Sequence, residues 1–148
     1  MEFNFKAAIV WLLLSAVPSA WSAELEGLWQ EFDDSTGKVE ALIRISKLSD
    51  STYEGSIERI FPDKNAAMLC TACTGDLYNR PLLGMRILSG MKRKDEFSFE
   101  GGTVLDPDEG KIYRCRIRLS EDGKTLEVTG YVGFAWMGQS EIWKRDNN

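Results

Sequence analysis

The chain has 148 residues, 43% of them hydrophobic, with 18 basic against 23 acidic side chains and a net charge of −5. That is enough for one domain with one core, and its acidic balance argues against a nucleic-acid partner, which wants a basic stripe. It contains no histidine, which excludes Ser-His-Asp and Cys-His catalysis and any zinc site built on imidazole, so the reading is of a non-enzymatic protein with neither cofactor nor metal.

Near the start, Lys6 precedes an apolar run from Ala7 to Val17, Pro18 breaks it, and Ser-Ala-Trp-Ser-Ala follows. This is the order of a secretory signal. The run falls short of the roughly 20 residues a membrane-spanning helix needs. Cleavage after Ser22, with Ala20 three positions back, leaves a mature domain of residues 23–148, placed in the periplasm or outside the cell. Glu2 and Lys6 cancel, so the mature net charge stays at −5.

The remainder reads as strands. Glu26 to Phe32 is the first, closed by the turn-rich Asp33-Asp34-Ser35-Thr36-Gly37. From Val39 to Lys47, Val39, Ala41, Ile43 and Ile45 share one face, with Leu42 interrupting the alternation. Tyr53, Gly55, Ile57 and Phe61 form the next inner face, and Arg59 has their parity. Residues 62–80 lose the period of two. A loop of that length is usually functional or covering, and Asp63 is placed to cap a helical turn in it. Pro81 then opens an apolar run through Met91, and Phe97 and Phe99 share a face on the following strand.

Asp106-Pro107-Asp108-Glu109-Gly110 is a hairpin turn, with proline presetting φ and glycine able to take the positive φ that closes it. Beyond it Tyr113, Cys115, Ile117 and Leu119 alternate with Arg114, Arg116 and Arg118, the period of a strand with one dry and one wet face. The arginine face is read as solvated in preference to an anion-binding stripe. Asp122-Gly123 marks another hairpin, Leu126, Val128, Gly130 and Val132 another inner face, and Phe134-Ala135-Trp136-Met137 an apolar connection to a last strand from Gln139 to Lys144.

About eight short strands joined mostly by tight turns predict an all-β, antiparallel up-and-down barrel, because closure removes exposed edges. A barrel of that size holds side chains or one small ligand. Gly27-Leu28-Trp29 resembles the Gly-x-Trp opening of lipocalins. There the tryptophan plugs the closed end and an arginine from the last strand covers it, a role the resemblance gives to Trp29 and Arg145. A wider set of motifs spans the mature chain: Trp29 with Asp33 to Lys38, Cys70-x-x-Cys73 with Gly75-Asp76, Pro81-x-x-Gly84, Gly90-Met91-Lys92, Gly101-Gly102, Asp106-Pro107-x-x-Gly110-Lys111-x-Tyr113, Gly130-Tyr131-x-Gly133 and Trp143-x-Arg145. This ordered set resembles the bacterial domain of unknown function 2147 family. The resemblance implies a secreted or periplasmic lipocalin-like (calycin-type) barrel and supplies no catalytic residue.

Within such a barrel Tyr53, Ile57, Arg59, Phe97, Phe99, Tyr113 and Val128 are the candidate lining for a small apolar or amphipathic ligand. Arg59 and Arg86 have a competing place at strand ends, with their guanidinium groups in water. Cys70 and Cys73 are read first as a short disulfide pinning the long loop, with a redox pair or a metal site joined by Cys115 and Asp76 as alternatives. Cys115 itself reads as a buried free thiol. The alternative function is a cavity-free envelope interaction protein that uses the 62–80 loop and Trp136. Oligomeric state has no signature in the chain.

Overall fold

In the computed structural model, which describes residues 24–147, eight antiparallel strands close into a barrel in sequence order. They are β1 (Gly27–Phe32), β2 (Val39–Lys47), β3 (Thr52–Ile60), β4 (Arg86–Arg93), β5 (Ser98–Asp106), β6 (Lys111–Leu119), β7 (Thr125–Tyr131) and β8 (Gln139–Arg145). Closure is made where Trp29 and Gln30 of β1 pair with Arg145 and Lys144 of β8. The segment read as a signal lies outside the described residues. No described helix is long and apolar enough to cross a membrane.

Turn chemistry drives the hairpins. The Asp33 carboxylate accepts from the amides of Ser35 and Thr36 at 3.0 and 2.6 Å, and Asp106 does the same for Asp108 and Glu109 at 2.9 and 3.1 Å. Each aspartate thus satisfies donors that the reversal of the chain strips from the ladder.

Alternation then sets the inside. Ile43 faces Ile57, Phe99 faces Ile117, Leu88 faces Val104 and Leu126 faces Trp143 across neighbouring strands. Tyr53 meets Phe99 edge-on, with ring centroids 5.2 Å apart. Such pairs add about 0.5–1.5 kcal/mol to what area burial gives. Tyr53, Ile57, Phe99 and Val128 are all at most 5% exposed and belong to one packed cluster.

Two bulges re-aim side chains. In β3, Leu42 and Ile43 face Arg59 and Ile57, so Glu58 is the extra residue and parity flips beyond it. Arg59 therefore points out of the barrel and not into it, against the alternation read from sequence. Its guanidinium lies 4.7 Å above the Phe61 ring and pairs with Asp63 at 3.0 Å. That pairing occupies the carboxylate expected to cap the next turn. The 3₁₀ turn Asp63–Ala67 has Pro62 at its cap position and no side-chain cap. In the β3–β4 ladder a second irregularity leaves Ile87 outside and Leu88 within, and β4 begins only at Arg86. Phe97 precedes β5 in a turn, its amide donating to Asp95 at 3.0 Å, so it is half-buried at the end of the barrel.

Candidate functional site

The two ends of the barrel differ in kind. At one end Trp29 is fully buried, and its indole N–H donates to the Leu25 carbonyl at 3.0 Å. The Arg145 guanidinium lies 4.1 Å over its ring and donates to the carbonyls of Gly123 and Glu26 at 2.7 and 2.8 Å. Gly27 sits at φ +142°, and a Cβ there would run into that guanidinium, so only glycine lets the arginine down onto the tryptophan. Arg145 is drawn below its ordinary pKa by desolvation. This end is shut.

At the other end stand the β1–β2, β3–β4, β5–β6 and β7–β8 connections. Glu31 is two residues on from Trp29 and opposite buried Ala41, which turns its half-buried side chain towards the barrel interior. Glu141 is two residues before Trp143 and opposite buried Val128, which aims it the same way, with the Trp143 indole N–H donating to it at 3.3 Å. No donor among the described residues hydrogen-bonds Glu31. Desolvation first, and then the carboxylates of Glu141, Glu40, Asp108 and Asp106, raise its pKa to about 8. Glu141 and Glu40 are also raised, each chiefly by desolvation and then by neighbouring acids. Glu31 is therefore largely a neutral acid at pH 7, beneath a rim of negative charge.

Cys70 and Cys73 form a disulfide, with Cα atoms 5.3 Å apart and both residues buried. Cys70 Sγ lies 3.4 Å from the Pro107 carbonyl oxygen, and a Cβ on Gly110 would enter the Ala72 carbonyl. The disulfide loop is thus seated on the β5–β6 turn, where the bare backbone of Gly110, at φ +67°, lets it approach. Tyr113, half-buried at this rim, donates its hydroxyl proton to the Glu109 carboxylate. Cys115 is a free, buried thiol whose pKa burial pushes up to about 12, so it is neither thiolate nor partner of the pair. Among the described residues no three metal-ligating side chains gather.

The β7–β8 connection is apolar and exposed. Val132, Phe134, Trp136 and Met137 are 63–80% exposed, with Phe134 stacked on Trp136 at 6.4 Å. Two clefts, of about 530 and 410 Å³, lie on the outer wall beside residues 77–87. Of the candidate lining, then, Tyr53, Ile57, Phe99 and Val128 are packed together inside, Tyr113 lies at the rim, and Arg59 and Phe97 are elsewhere.

Sequence reasoning missed Glu31 and Glu141. The signal was present in parity, since each stands two residues from a tryptophan that faces inward.

A closed eight-stranded meander plugged by a tryptophan and an arginine defines a lipocalin-like barrel. The solved structure of protein HP1028 from the human pathogen Helicobacter pylori, described as belonging to the lipocalin family, matches with a TM-score of 0.74 and 23% identity over 85% of each chain, a likeness of fold. Residues 27–145 match the model of the family described as an uncharacterized protein conserved in bacteria (DUF2147), and the chain belongs to that family. No curated protein matches it.

Proposed function

We propose that this is a periplasmic or secreted binding protein that takes a small amphipathic cation at the open end of its barrel. The ammonium head would lie against Glu31 and Glu141, and the apolar part against Phe134 and Trp136. The observation that carries the reading is Glu31: a side chain turned towards the barrel interior, its carboxyl without a hydrogen-bond donor and surrounded by acids. A buried carboxyl is costly to ionise alone, and a cation beside it removes that cost. Lodging an amine there ionises Glu31 and releases its proton, so affinity should rise as pH climbs from about 6 to 8.

The lower barrel is packed, which moves the ligand from the aromatic interior expected from sequence to this upper level. The disulfide points to an oxidising compartment, in keeping with the secretory signal read in residues 1–22.

Calorimetric titration with decylammonium at pH 8 tests the reading. Binding that falls at least tenfold in the Glu31→Gln/Glu141→Gln double variant supports it. Absence of binding, or binding indifferent to the double variant, overturns it.

One observation favours a second reading. The exposed Trp136 patch suits an envelope protein partner. Recovery of a partner by the wild type but not by Trp136→Asp supports that reading, and equal recovery by both counts against it.

A further inference from the structure

We propose that the outer wall of β4 to β6 carries a second binding site, for a single-chain amphipathic anion whose chain lies in the larger cleft and whose acid head meets unpaired arginines. The cleft, about 530 Å³, lies between residues 77–87 and the outward side chains of β4, β5 and β6. That is within the size range of small-ligand sites. Leu77, Leu83, Leu105 and Ile112 make its lining apolar. Ile112 is 61% exposed on a strand face otherwise given to arginine, where solvation alone would favour a polar residue.

Of the arginines at this cleft, Arg86 is held by Glu54 at 2.9 Å, whereas Arg80 and Arg114 are not spent on carboxylates. Arg80 lines it and donates only its Nε, to the Asp76 carbonyl at 3.2 Å. Arg114 is the cross-strand neighbour of Thr103, itself part of the lining, and is propped over the Tyr131 ring at 5.6 Å. Arg116, two residues further along, has a buried Nε with no hydrogen-bond partner. None of these three forms an ion pair among the described residues. On the neighbouring wall Arg44 is held by Glu58 at 2.6 Å.

On a chain of net charge −5, a face that keeps the guanidinium groups of Arg80 and Arg114 free of carboxylates beside an apolar cleft is complementary to an acid with a hydrocarbon tail. Guanidinium binds carboxylate through two parallel hydrogen bonds, a geometry open to Arg80 and Arg114 through their terminal nitrogens. A bilayer would need a broad protruding surface, whereas a concave cleft takes one chain. The site is independent of the barrel mouth and of the sign of charge recognised there.

Decanoate titrated into the purified protein at pH 7, followed by calorimetry and by methyl NMR, tests the proposal. The expected result is saturable binding with shifts at the Ile112 and Leu105 methyls. An Arg80→Gln/Arg114→Gln variant should weaken it at least tenfold, while the Glu31→Gln/Glu141→Gln variant leaves it unchanged. Both arginines are exposed, so the first variant keeps the fold, and its methyl spectrum without ligand verifies this. No saturable binding up to millimolar decanoate, binding indifferent to the arginine variant, or shifts at lumen methyls such as Ile57 in place of Ile112 would each overturn it.

Discussion

The shut end and the open end of this barrel treat charge in opposite ways. At the shut end one guanidinium, on Arg145, is stacked on Trp29 and hydrogen-bonded to backbone carbonyls. At the other end desolvation first, and then nearby carboxylates, raise the pKa of Glu31, Glu40 and Glu141, with no cation among the causes. The first arrangement stabilises the fold; the second costs stability. A group that costs stability persists where a bound molecule has a use for it. The same wall thus separates the end that holds the barrel from the end where acids gather.

The largest effect expected from breaking the contrast is at the plug. Trp29→Ala removes a fully buried indole and the platform under Arg145, and urea unfolding should show a loss of about 3–5 kcal/mol. At the mouth the sign reverses. Glu31 has its pKa raised from 4.5 to about 8 by folding, so the native state holds more protons between those values. The stability it lends is complete below pH 4.5 and is lost as pH rises towards 8. Glu31→Gln abolishes that loss, and the variant should exceed the wild type by on the order of 3 kcal/mol at pH 9 and match it at pH 4, read from urea midpoints at the two pH values.

Smaller effects sharpen the comparison. Replacing Cys70 and Cys73 together by serine releases a very short loop, for which chain entropy gives about 2 kcal/mol; hydrogen exchange should rise in residues 62–85 and at the β5–β6 turn while the Trp29 end stays protected. Smallest of all, Trp136→Ala at an 80% exposed site should change stability by less than about 0.5 kcal/mol, so any loss of ligand or partner in that variant reports recognition and not folding.

The parts of this molecule that obey one local rule were readable in the chain. Strand alternation from Tyr113 to Leu119 and the Asp106–Gly110 turn describe the β5–β6 hairpin without help. Cys70 and Cys73 sit close enough in sequence that a turn brings them together. What the chain hides depends on a single inserted residue or on contact between distant segments. The bulge at Glu58 turns Arg59 outward, and a count of alternating positions has no marker for it. The loop's seat on Gly110 and the cleft it forms against Leu105 and Ile112 join residues some 30 positions apart. Glu31 and Glu141 were legible in parity alone, yet a carboxylate facing inward conflicts with burial preferences until the open end is seen above it.

Desolvation keeps the Glu31 carboxyl protonated where no cation among the described residues neutralises it, and a bound cation reverses this. Carbon-13 NMR of the Glu31 side-chain carboxyl across pH measures it directly. The account predicts titration near pH 8 in the free protein and a fall of at least one unit with saturating decylammonium, whereas a Glu31 that titrates near 4.5 and ignores the amine would contradict it.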